Sequence, residues 1–136
     1  MLVLIRGAGD LASGIGLRLW RSHIQVVMPD LPQPTAIRRT VCFSQAIVYG
    51  KTQVEGVTAV RAETQADVEN ALAAGLIPVL ADETMQCLQW LHPDVLVDAV
   101  LAKRNLGTRI TDAPLVIGVG PGFTAGGGCH CVIEAM

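Results

Sequence analysis

Short aliphatic runs that alternate with helical patterns set the tightest limit on how this chain can fold. Leu2 to Arg6, Gln25 to Met28, Ile77 to Leu80, Asp94 to Leu101 and Leu115 to Val119 all read as strands. The last three are aliphatic and nearly free of charge, as strands buried on both faces are. Between the first two, Leu11 to Ser22 repeats apolar residues at helical spacing, with Leu11, Ile15 and Leu19 beside Ala12, Gly16 and Trp20. Small residues on that face let a helix lie close to a sheet. Strands alternating with helices predict an α/β fold, Rossmann-like, with a mostly parallel sheet and helices on both faces.

The remaining elements are less regular. Gln65 to Ala74 reads as a helix, with Thr64 as N-cap and Gly75 as its stop, and Met85 to Leu91 as a shorter one closed by Pro93. Proline at position 29 is read as ending the second strand. The stretch from Thr40 to Ala62 reads as a short helix up to Tyr49, then two brief strands around Glu55-Gly56. Cys129 to Met136 reads as the start of an amphipathic helix that stops after about two turns, which is marginal without packing. That points to the whole of 1–136 as one Rossmann-like domain, the N-terminal part of a longer protein.

Composition narrows the classes. A chain of 136 residues with 51% hydrophobic residues and 16% charged ones is neither disordered nor too small for a core. A net charge of -2 gives no electrostatic footprint for nucleic acid. No apolar run is long enough for a membrane span, and Arg6 and Gly7 cut short the apolar start that a signal peptide needs. Cys42, Cys87, Cys129 and Cys131 are too scattered for a disulfide framework. These features place the protein in the cytoplasm with reduced thiols.

Gly7-Ala8-Gly9-Asp10-Leu11-Ala12 fits G-x-G-x-x-A, after a predicted strand and opening a predicted helix. This is the context of the dinucleotide fingerprint, in which backbone N–H groups at the helix start face a pyrophosphate. Asp30 falls where that fingerprint expects an acidic residue for ribose hydroxyls. Asp10 cuts the other way, since a carboxylate pointing inward would repel phosphate. A tight turn without a ligand is the plain alternative.

If the sheet is parallel, two further loops leave from the same edge. One carries Lys103, Arg104, Asn105, Thr108 and Arg109, with Asp98 nearby, and is either an anion site or a solvated turn. The other runs from Gly120 and Gly122 to Gly126-Gly127-Gly128 and is read as opening a helix. It is either a backbone anion cradle or a flexible turn, and it lacks the Lys-Ser/Thr of a P-loop. Cys129-His130-Cys131 fits no common zinc spacing, and adjacent helical residues diverge, so no metal site is expected. Cys42 lies near Arg38 and Arg39, which would favour a thiolate, although a buried inert thiol is commoner. His23 and His92 sit at element ends and read as surface residues.

Taken together, "IRGAGDLASGIGLRL", "LPQPTAIRRTVCFSQA", "VEGVTA", "PDVLVDAVLAKRNLGT" and "APLVIGVGPGFTAG" resemble one family along nearly the whole chain. It is the YqeB-type accessory proteins associated with selenium-dependent molybdenum hydroxylases, more distantly similar to xanthine dehydrogenase accessory factors. The resemblance implies a role in maturing such a hydroxylase, with its apoenzyme as partner, and a continuation of the chain into further β-rich sequence. The expected ligand is a small phosphate-bearing one, NAD(P) or the pterin phosphate of molybdenum cofactor, at the carboxyl edge of the sheet. A homo-oligomer stays open, as does the question of catalysis. The rival readings are an NAD(P)-dependent oxidoreductase, against which stands the lack of a Tyr-x-x-x-Lys set, and a non-catalytic docking module.

Overall fold

The computed structural model describes residues 1–30, 42–101, 105–120 and 122–134. In chain order they form β1 (Leu2–Arg6), α1 (Asp10–Arg21), β2 (Gln25–Asp30), α2 (Gln45–Tyr49), β3 (Lys51–Val54), β4 (Val57–Ala62), α3 (Gln65–Ala73) and β5 (Ile77–Ala81). A 3-10 turn (Gln86–Gln89), β6 (Val95–Asp98), β7 (Leu115–Val119) and β8 (Cys131–Ile133) follow. The strands make one 8-stranded sheet in the order β3-β4-β5-β2-β1-β6-β7-β8. All neighbours run parallel except β3 and β4. The fold is α/β and Rossmann-like, as the alternation of strand and helix patterns requires.

Each central strand is buried on both faces, which explains its unbroken aliphatic sequence. On one face Val3, Ile5, Val26, Met28, Ile77 and Val79 pack with Ala12 and Leu17 of α1 and with Ala46 and Ile47 of α2. Gly16 permits that approach, since a Cβ there would stand 3.2 Å from Met28 Sδ. On the other face Leu4, Val27, Leu80, Leu96 and Val116 pack with Val68 of α3 and with Met85, Cys87 and Leu91. The β3–β4 hairpin turns through Glu55 (φ 49°) and Gly56 (φ 83°). Two central residues with positive φ are what a two-residue hairpin loop needs to match strand twist.

Four details differ from the sequence reading. Strand β2 runs through Pro29 to Asp30, because proline loses only a donor and its carbonyl still accepts from Gly7 N at 2.7 Å. Strand β6 stops at Asp98, whose Oδ1 accepts from Val100 N at 3.2 Å and turns the chain, with Leu101 left-handed at φ 64°. The turn after β5 is 3-10 rather than α, tightened by Asp82, which accepts from Gln86 N at 2.8 Å and Cys87 N at 2.7 Å.

The fourth is the largest. The segment read as a helix from Cys129 is the parallel edge strand β8, with Ile117 opposite Cys131 and Val119 opposite Ile133. His130 stitches it on, donating from N to Val116 O at 2.8 Å and accepting at Nδ1 from Val116 N at 2.9 Å. Backbone pairing with β7 satisfies groups that two isolated helical turns would leave open. The glycine-rich loop therefore joins parallel strands without a helix, and its expected helix start does not exist.

Helix α3 begins as expected at Thr64. Its hydroxyl accepts from Asp67 N at 3.2 Å, and Asp67 Oδ2 accepts from Glu63 N at 2.9 Å and Thr64 N at 3.2 Å, a capping box. These backbone donors, Glu63 first, hold the Asp67 carboxyl below the ordinary carboxylate range. Thr64→Ala should therefore cost about 1 kcal/mol in urea unfolding. The Asp67 contribution is present above the pKa of the unfolded carboxyl, about 3.9, and is lost as pH falls through the lowered folded value. Asp67→Asn should accordingly be less stable than wild type at pH 7, with the gap closing as the pH drops below that window. A gap that widens in acid would contradict the assignment.

Candidate functional site

Strand β1 lies between β2, which follows it after α1, and β6, which arrives from far along the chain. The strand order reverses here, and ligands of open α/β sheets bind outside the carboxyl ends at such a point. A cavity of about 340 Å³ opens at those ends, lined among others by Arg6, Asp30, Asp82, Glu83, Met85 and Leu106. Met85 reaches its lip in a left-handed conformation (φ 60°).

The glycine turn stands directly after Arg6. Gly7 has φ 108°, and a Cβ there would lie 3.1 Å from Ala99 O, so both its conformation and its contact with the end of β6 exclude a side chain. Ala8 is fixed from both sides: its N–H donates to Asp30 Oδ2 at 3.0 Å, and its carbonyl accepts from Ser13 Oγ at 3.1 Å and Ser44 N at 2.9 Å. Ser13 Oγ also accepts from Phe43 N at 2.9 Å, which ties the residues after position 41 to the turn. Gly9 is the N-cap of α1 and has no side chain with which to cap the first turn.

Arg6 was not singled out from the sequence as a site residue. It is only 7% exposed, at the carboxyl end of β1. Nη1 donates to Thr108 Oγ1, and Nη2 donates to the carbonyls of Glu83 and Leu106, all at 3.0 Å. Thr108 Oγ1 donates in turn to Asp98 Oδ2 at 2.6 Å, which stands 4.0 Å from Arg6 Nη1. The signal was present, as one cation ending an aliphatic strand that is otherwise buried.

The expected site residues divide by location. Gly7, Ala8, Gly9, Asp10, Leu11, Ala12 and Asp30 gather at the ends of β1 and β2. Asn105 organises its own turn, with Nδ2 donating to Thr108 O at 2.7 Å and Oδ1 accepting from Gly107 N at 3.0 Å and Thr108 N at 2.8 Å. Gly120 and Gly122, with φ of 90° and 93°, begin the loop after β7, and Gly120 N donates to Ile133 O at 2.8 Å. That loop reaches the Asn105 turn, since a Cβ on Gly128 would stand 2.7 Å from Asn105 Nδ2. Lys103, Arg104, Arg38 and Arg39 lie outside the described residues.

Cys87 is buried, and burial first, then the hydrogen bond and charge of Asp82, push its thiol far above the usual range. Such surroundings favour the protonated thiol over the thiolate. Cys42 is buried against Ser44, with Sγ 2.9 Å from Oγ. Cys129 is buried and Cys131 exposed, and among the described residues no three His, Cys, Asp or Glu are grouped to hold a metal. No helix of the described residues is long and apolar enough to cross a membrane.

Comparison with known proteins gives a relative over almost the full chain. The chain is 51% identical over 133 residues, 98% of its length, to the protein named uncharacterized protein YqeB of Escherichia coli strain K12. The chain is a homologue of YqeB. It spans 25% of the length of that relative. No protein-family model matches the chain, and no solved structure matches it.

Proposed function

We propose that the carboxyl edge at β1 and β2 binds a nucleotide or another phosphate-bearing cofactor, and that the domain serves the maturation of a selenium-dependent molybdenum hydroxylase in the cytoplasm. The observation that carries the binding site is its juxtaposition. Asp30 both lines the cavity and accepts from Ala8 N, so the cavity and the glycine turn share a wall. Phosphate would sit at the first turn of α1, where the N-cap Gly9 has no side chain to stand in its way and the helix dipole favours negative charge. Asp30 would meet hydroxyls beside it. Lys103 and Arg104 would add charge-assisted hydrogen bonds to an anion. This donor set fits NAD(P) and also the pterin phosphate of molybdenum cofactor, which when bound would supply the metal-binding dithiolene. The hydroxylase role rests on the resemblance to YqeB-type accessory proteins, and its partner would be the apoenzyme of that hydroxylase, with a homo-oligomer of this protein as the other assembly to look for.

Native mass spectrometry of the freshly purified protein should show a retained nucleotide or pterin. Gly9→Val is the matching probe, because Gly9 has φ -75° and ψ -164°, a backbone any residue adopts. The variant should keep its melting temperature and lose at least about tenfold in NAD affinity, which is about 1.4 kcal/mol. Undiminished affinity in that variant refutes phosphate binding at the glycine turn.

A further inference from the structure

We infer that Arg6 is a positioning residue of this site, and that the cavity beside it takes the uncharged, hydrogen-bond-donating part of the ligand, such as a ribose or an amino-bearing ring edge, instead of its phosphate. The inference rests on the phosphate-cofactor reading of this edge and assigns the ligand's two halves to different places.

A buried arginine at the carboxyl end of a strand invites assignment as a phosphate contact. Its bonds argue otherwise. Nη1 is engaged by Thr108 Oγ1, and Nη2 by the carbonyls of Glu83 and Leu106. Its charge is balanced by Asp98, 4.0 Å away and joined to it through the Thr108 hydroxyl. Among the described residues lining the cavity, Arg6 is the one cation and is already balanced by Asp98, while Asp82 and Glu83 bring carboxylates. A phosphate entering there would meet like charge, whereas hydroxyl and amino groups would meet acceptors.

The same bonds give Arg6 its role. One nitrogen, Nη2, holds a carbonyl from the loop after β5 and a carbonyl from the loop after β6, so both walls of the cavity are referenced to the tip of β1. A planar guanidinium does this with a fixed fork, and an ammonium on a flexible stem does not reproduce it. Loss of the fork should loosen both walls without touching the first turn of α1.

The test compares intact wild-type protein with Arg6→Lys and Arg6→Gln, using NAD and inorganic pyrophosphate as titrants and amide hydrogen exchange of the ligand-free protein. Pyrophosphate affinity should stay within about twofold in both variants. NAD affinity should fall by about tenfold or more in both, with no rescue by lysine, and amides at 83–85 and 105–108 should exchange at least about tenfold faster. If an Arg6 variant does not fold, Thr108→Val, which removes the hydroxyl joining Arg6 to Asp98, should give the same pattern at smaller amplitude. Pyrophosphate binding lost in Arg6→Gln and restored in Arg6→Lys would make Arg6 a phosphate ligand and overturn the proposal, as would unchanged exchange in both loops. Wild-type protein that binds neither titrant overturns the phosphate-cofactor reading and the ligand assignment with it, while the exchange data still decide whether Arg6 ties the walls.

Discussion

Asp98→Ala should destabilise the domain by about 3–5 kcal/mol, the range for removing one partner of a buried ion pair. Asp98 is 3% exposed and Arg6 7%, so the guanidinium left behind has little water to turn to. The substitution also removes the acceptor for Thr108 Oγ1 at 2.6 Å and for Val100 N at 3.2 Å, two groups that shape the turn out of β6. Because the pair itself stands at 4.0 Å, the lower end of the range is the better expectation. Asp98→Asn keeps an acceptor and should lose less, about 1–3 kcal/mol. Urea unfolding of the three proteins measures both steps, and a loss below about 1 kcal/mol in the alanine variant would show that the network is solvated and structurally idle.

Gly118→Val should cost about 3 kcal/mol, at the upper end for overpacking a filled interior. A Cβ at Gly118 of β7 would fall on the ring of Phe123, within 2.7 Å of Cδ1 and Cδ2. These are atoms near the root of the side chain, so the ring cannot slide aside by a small rotation. Phe123 packs on the face that holds Val116 and Cys129, and its displacement would uncover that cluster. Thermal unfolding reads the loss, and Gly126→Ala serves as the contrast. A Cβ at Gly126 meets nothing within 4 Å, which leaves only the strain of its φ of 84°. Equal losses at the two positions would mean that the Phe123 contact adds nothing.

The legible parts of the fold are those in which local chemistry and tertiary place agree. Strands β1, β5 and β7 are aliphatic because both their faces are covered, and their positions follow from that alone. Thr64, Asp67 and the Glu55-Gly56 turn carry their geometry in their own residue types. Strand β8 was not legible, since its three residues become a strand only by pairing with β7 and only after a loop whose glycines read equally well as a helix start. In the site, the glycine turn and Asp30 follow from the spacing of a known fingerprint, and the hydrogen bond from Ala8 N to Asp30 joins them. Arg6 escaped because its partners, Glu83, Leu106 and Thr108, come from distant loops that no local pattern connects to it.

The central seam of the sheet has a consequence for how the molecule is made. β1 pairs with β6 in the register Val3 to Val95, and Leu2 and Asp94 exchange bonds at its start, Leu2 N donating to Asp94 Oδ2 at 2.8 Å and Asp94 N to Leu2 O at 2.8 Å. Strand β1 therefore keeps one edge unpaired until the chain has been synthesised as far as β6. Contacts so distant in sequence form late and slowly, and the open edge is exposed to wrong partners meanwhile. The wall contributed by the β6 side, and with it the cavity, exists only once this seam has closed. A ligand bound there would recognise the closed seam and not the open one, and by mass action it would draw the chain toward the closed form.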